Sequence, residues 1–269
     1  MWTRRLFLSL PAAAIAAPQL ALSQQKRSLA DPLRVGVDLA LAESGLGKAI
    51  QRSFGRDTGI AVTLVPGPAL RLLEDVEHGE IDALICNAPE QEARLEQQTL
   101  VHERRLIATG SFVLVGPAPR GKQPDPAGIA RTRDAAAALQ RIRAAAIAAP
   151  GSVSFLSIDD GSGTYVAEQA LWRAARIAPY APWYVLGAGS RSLIAQARER
   201  GAYALVERGA WGALGGGPLA LLVEPEPALA APVHVMRAFS GKHPAGKIFV
   251  SWAGGANGRR VAASQRGYR

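Results

Sequence analysis

Phe155-Leu156-Ser157-Ile158-Asp159-Asp160-Gly161-Ser162-Gly163-Thr164 reads as a short apolar strand, a glycine-bent turn and the opening of a long helix. Ser162 is the expected N-cap, a residue type whose side-chain oxygen accepts from an amide of the first turn. Gly161 and Gly163 permit a tight turn and a close approach of backbone to a ligand. A helix that begins there leaves amide N–H groups without intrahelical acceptors, and such an end attracts anions. The same residues also suit a turn that caps itself and binds nothing, so the surrounding chain has to decide between the two.

Working outward, strand-like and helix-like segments alternate from Leu33 onward. Arg34 to Leu39 is expected as a first strand, and Ser44-Gly45-Leu46-Gly47 opens a helix that carries Leu46, Ile50 and Phe54 and stops at Gly59. Ile60 to Val65 and Asp82 to Cys86 are expected strands, with a helix bearing Leu70, Leu72, Leu73 and Val76 between them. Ser111 to Pro117 is the next strand, and the proline-rich Ala118 to Pro126 marks a change of domain. Beyond it come a helix from Asp134 to Ile147, the strand before Ser162, a helix to Ile177, a helix from about Ser190 to Arg200 and a strand from Tyr203 to Glu207. Val233 to Met236 is expected to return to the first domain, where His243 to Ala253 adds a helix. The expectation is an α/β protein with two Rossmann-like lobes, one from residues 33–116 and 225–269, the other from 117–224. Such alternation predicts a mostly parallel sheet covered on both faces, with ligands held beyond the strand carboxyl ends, in the cleft between the lobes.

The amino terminus predicts where the protein works. Arg4 and Arg5 precede a short apolar run that Pro11, Pro18 and Gln19 interrupt, followed by small residues at Ala21-Leu22-Ser23. This is the pattern of a twin-arginine export signal over residues 1–23, too short and too broken for a membrane anchor, and it predicts a periplasmic protein. Loss of Arg4 and Arg5 takes the formal net charge from +9 to +7. The basic residues are scattered among acidic ones and aromatics are few, which excludes a nucleic-acid partner. Cys86, the one cysteine, lies in an apolar run and is expected as a buried core residue. With no cysteine after the signal to carry a lipid, a free and monomeric periplasmic form is expected.

Several residues at the expected strand ends suit the holding of a small anion. They are Ser44 and Gly45; Ser162, Gly163 and Thr164; Gly189, Ser190 and Arg191; and Arg208. Each alone also suits an ordinary cap, loop or surface ion pair. Signatures of catalysis fail. Gly116 to Lys122 has the outer spacing of a P-loop, but Gln123 stands where a hydroxyl is needed, and Pro117 and Pro119 remove amide donors. Neither Ser162 nor Ser190 lies in a Gly-x-Ser-x-Gly elbow, and the four histidines show no ligand spacing, so neither a metal nor a cofactor is expected.

Read in order, Ser44-Gly45-Leu46, Thr58-Gly59-Ile60, Gly79-Glu80-Ile81-Asp82-Ala83, Asn87-Ala88-Pro89-Glu90, Asp160-Gly161-Ser162-Gly163-Thr164, Trp183-Tyr184 and Ala202 to Gly209 are similar to the periplasmic tungstate-binding proteins of ABC importers. The resemblance covers nearly all of the chain after the signal. It implies a type II periplasmic binding-protein fold, a tungstate-like oxyanion in the cleft, and an inner-membrane permease as partner.

The chain departs from that family at the ligand. Members carry a Thr/Ser run after the first strand, where this chain has Asp38-Leu39-Ala40-Leu41-Ala42, and an arginine before the Ser-Gly-Thr turn, where it has Ile158. Arg191 is the residue placed to supply the missing charge. Two alternatives stay open: the same fold with a changed ligand, such as an organic anion or another small solute, or a sensory role; and a periplasmic enzyme with Asp159 or Asp160 as base.

Overall fold

A computed structural model describes residues 27–130, 132–187, 192–224 and 227–269; the expected signal lies outside them. Nine strands, ten α-helices and one short 3-10 helix are described. In the first third, β1 (Leu33–Asp38) leads to α1 (Leu39–Glu43) and α2 (Leu46–Thr58), β2 (Val62–Gly67) to α3 (Ala69–Glu77), and β3 (Ala83–Cys86) to α4 (Pro89–Gln97). The long β4 (Val101–Pro117) is followed by α5 (Ala135–Ala148), β5 (Phe155–Ser157), α6 (Gly163–Ala174), β6 (Tyr184–Leu186), α7 (Leu193–Arg200), β7 (Ala204–Glu207), α8 (Arg208–Leu214) and β8 (Leu219–Val223). β9 (Ala230–Ala238), α9 (Ala245–Ala253) and α10 (Ala256–Ala263) complete the chain.

The principal sheet runs β2-β1-β3-β9-β4-β7, with β8 also paired to β4. Its polarity corrects the expectation of a mostly parallel sheet. β1 is parallel to β2 and β3, but β9 enters antiparallel between β3 and β4, and β4 pairs antiparallel with β7 and β8. Local periodicity does not encode strand direction, and β9 reaches its neighbours from far along the chain.

β4 belongs to both lobes. Its first part pairs with β9 as far as Ser111, and from Phe112 it pairs with β7, so it changes partner five residues before the expected boundary at Gly116. The two lobes are thus joined by adjacent antiparallel strands. Backbone bonds between Thr109 and Arg269, 2.8 and 3.1 Å long, fasten the end of the chain to the same crossing.

Side-chain alternation along the strands buries both faces of each lobe's sheet. In the first lobe Val35, Val37, Ile85 and Val235 pack with Ile50, Phe54 and Phe249, while Leu84, Cys86 and Met236 pack on the other face with Leu72 and Val76. In the second, Phe112 and Leu114 join Phe155, Trp172 and Tyr203, and Val113 and Val115 join Leu156 and Ile194. Cys86 is buried and free, as expected. The proline-rich segment is anchored where Asp125 accepts from the Tyr203 hydroxyl at 2.7 Å and from the amides of Ile129 and Ala130.

Candidate functional site

The turn after β5 is bent by Asp159 and Gly161, whose φ angles are +48° and +73°. Ser162 then caps α6, its Oγ accepting from the amide of Tyr165 at 3.2 Å. Asp160 accepts from the amide of Ser162 at 2.8 Å, and the amide of Gly163 donates to Oδ2 of Asp38 at 2.9 Å. The opening of α6 is therefore occupied by the chain's own oxygens. Gly163 is needed there: a Cβ on it would stand 1.8 Å from Oδ1 of Asn87, a 2% exposed side chain whose two amide atoms have no partner among the described residues.

Asp38 ends β1 and caps α1, its Oδ1 accepting from the amide of Ala40 at 3.1 Å. Fully buried, its carboxyl is pushed up to about 6 by desolvation, helped by nearby Asp160 and opposed by the amides of Gly163, Ala40 and Ala69. Those three amides lie at the starts of α6, α1 and α3. The run Asp38 to Ala42, noted in the sequence for its lack of hydroxyls, thus carries a buried carboxyl bonded to both lobes. The signal that could have located it is an aspartate directly before an apolar helical segment, an N-cap pattern. Leu70 strengthens the same contact, its amide donating to the Gly161 carbonyl at 2.9 Å.

Beside this junction lies a cavity of roughly 290 Å³. Leu39, Ala40 and Glu43 of α1 and Pro68 form one wall; Ile158, Asp160, Ser162 and Thr164 of the turn and Ser192 and Leu193 at the start of α7 form the other. Burial raises the carboxyl of Glu43, opposed by the Ser192 hydroxyl and reinforced by Asp160. No Lys, Arg or His stands among the described residues that line the cavity.

Of the residues expected to bind, Ser162 and Thr164 line this cavity, and Gly163 between them turns its amide to Asp38. Ser44 and Gly45 are placed elsewhere: the Ser44 hydroxyl accepts from Tyr268 at 2.8 Å and donates to the Leu41 carbonyl, and Gly45, at φ +84°, starts α2. Arg208 is also away from it, paired with Glu224 at 2.9 Å beside a separate hollow formed with Thr109, Ser111 and Tyr268. Gly189, Ser190 and Arg191 lie outside the described residues.

Two further buried carboxyls flank these elements. Glu207 caps α8 and is pushed up to about 7 by burial, as is Glu168, which accepts from Nε1 of Trp172 and the Tyr184 hydroxyl at 2.9 and 2.8 Å. Among the described residues no group of three His, Cys, Asp or Glu side chains is placed to hold a metal ion, and no helix is long and apolar enough to cross a membrane.

Comparison with known proteins places this geometry in context. A family model described as a PBP superfamily domain matches residues 26–238. The tungstate-binding protein TupA of Peptoclostridium acidaminophilum is 31% identical over 176 residues, which are 63% of this chain and 57% of that protein. The chain spans about half the length of the curated relatives it matches. Among solved structures, the tungstate ABC transporter from Geobacter sulfurreducens is 27% identical with a TM-score of 0.72, over 86% of this chain and 97% of that one. The tungstate-binding protein TupA from Desulfovibrio alaskensis G20 is likewise 27% identical, with a TM-score of 0.60 over 82% of this chain and 85% of that one.

Proposed function

The chain belongs to the PBP superfamily, with the type II two-lobed fold, and from that premise we propose that it is the solute-binding component of an ABC importer, taking up tungstate or a related oxyanion. One observation carries the reading: amides at the starts of two helices, one from each lobe, converge on a single buried acidic group at the cleft. That is the arrangement a desolvated anion requires, and here its occupant is a carboxylate. The twin-arginine leader would deliver the protein to the periplasm, where it would act as a monomer and pass its ligand to an inner-membrane permease. Relatives named for tungstate binding support this assignment.

A second reading, a changed ligand, is favoured by Glu43 and Asp160 on the cavity wall and by Ile158 where the family has a cation. Calorimetric titration of the protein without residues 1–23 with tungstate, molybdate, sulfate and phosphate, beside a panel of organic acids and amines, separates the two. One-to-one tungstate binding is the expected result; silence toward all four oxyanions with heat from an organic solute would transfer the assignment to the second reading. In the first case Arg191→Ala is expected to abolish oxyanion binding with the fold intact, because a desolvated dianion needs a charge-assisted donor. Unchanged affinity in that variant would show that another group supplies the charge.

A further inference from the structure

The carboxylate of Asp38 stands where a free anion would be gripped. Its Oδ2 takes the amide of Gly163, at the start of the twelve-residue α6, and its Oδ1 takes the amide of Ala40. A second feature points to the same spot. Asn87 is 2% exposed, its amide oxygen and nitrogen are unpartnered among the described residues, and it lies directly against Gly163. Buried amides are ordinarily bonded, so this one has unused capacity facing the helix start. The cavity between Leu39, Ile158 and Ser162 opens beside these groups.

We propose that Asp38 determines ligand specificity as a tethered competitor: its carboxylate fills the anion-holding frame of the cleft and weakens the binding of a free dianion until that carboxylate is neutralised or removed. The proposal rests on the reading of the cleft as an oxyanion site. A dianion and Asp38 cannot share the amides of Gly163 and Ala40, and a dianion placed beside an ionised, buried carboxylate would meet unscreened like-charge repulsion.

The groups that face Asp38 leave its own protonation as the relief. Asp160 before α6, Glu207 at the end of β7, the Tyr268 phenol near the chain end and the Cys86 thiol of β3 all interact with it, and none supplies a positive charge. With its carboxyl pushed up to about 6, Asp38 becomes neutral as the pH falls through that value, and dianion affinity rises in the same interval.

Titration of the wild type, Asp38→Asn and Asp38→Ser with tungstate and sulfate at about pH 8 tests this, with sulfate repeated down to about pH 5 because it stays a dianion throughout. Both variants are expected to bind tungstate at least about tenfold more tightly than the wild type. Wild-type sulfate affinity is expected to rise by at least about tenfold, and by up to about a hundredfold if only the neutral form of Asp38 admits the anion, between about pH 8 and about pH 5, while the variants change little. Variants that bind no more tightly than a wild type that itself binds tungstate well would overturn the proposal and leave the importer reading standing. Folded variants and wild type that are all silent toward both anions would overturn both. If circular dichroism shows that neither variant folds, the wild-type pH profile decides, a flat profile counting against the proposal.

Discussion

Gly163→Ala is expected to destabilise the protein by several kcal/mol. The new methyl would stand 1.8 Å from Oδ1 and 2.7 Å from Cγ of Asn87, a side chain that is itself buried. Overpacking of this kind costs about 1–3 kcal/mol, and a displaced Gly163 amide would leave the buried Asp38 carboxylate short of a donor at a further cost of about 1–3 kcal/mol. Thermal and denaturant unfolding would measure the loss, with Gly45→Ala as the comparison. Gly45 has φ +84° and no atom within 4 Å of its missing Cβ, so it would incur only the backbone penalty of about 1 kcal/mol. Combining Gly163→Ala with Asn87→Ala should recover part of the loss, since the obstructing amide is gone. A Gly163→Ala protein as stable as the wild type would show that α6 does not pack on Asn87 as described.

Acidification is the second large effect, and its sign is opposite to ordinary acid denaturation. Asp38 is pushed up to about 6, and Glu168 and Glu207 to about 7, above their ordinary values of 3.8 and 4.5, in each case first by burial. A carboxyl whose folded pKa is raised binds its proton more tightly in the folded state. The stability it contributes is therefore fully present below the unfolded pKa and is lost as the pH rises through the folded value. Unfolding temperatures should rise, on the order of 5–10 °C, as the pH falls from about 8 to about 5. Asp31 and Glu103, held below their usual values first by the Ser28 amide and the Arg237 side chain respectively, act in the opposite direction only below about pH 4. Glu168→Gln and Glu207→Gln should each remove part of the pH dependence. Stability that falls steadily from about pH 8 to about pH 5 would rule out protonation of these carboxyls as the controlling event.

The features legible in the sequence are those whose chemistry is local. Gly59 ends α2 because a left-handed residue closes a helix, and Ser162 caps α6 because its hydroxyl reaches the amide of Tyr165, three residues on. Those motifs placed seven of the nine described strands and the longest helices, while β6, β8 and the first ten residues of β4 escaped them. Distance in sequence hid much of the site. Asp38 takes an amide 125 residues away, and Ser44, expected at the ligand, is engaged by Tyr268, 224 residues away. Arg208 follows β7, as expected, but it opens α8 and pairs with Glu224 instead of lining the cavity. The five-residue α1 is too short to show a helical period, and the direction of β9 left no trace in its own residues.

The place of β9 also governs when the molecule can become a molecule. The last of the described strands lies inside the sheet, pairing Ala83 with Arg237 on one side and Val101 with Ala238 on the other. Until it arrives, β3 and β4 each present a bare edge, and the valines and leucines on them have no cover. The first lobe is consequently a late event of synthesis, with loop closure across more than half the chain as its toll, and a nascent chain stalled before Ala230 would be prone to pair with its neighbours.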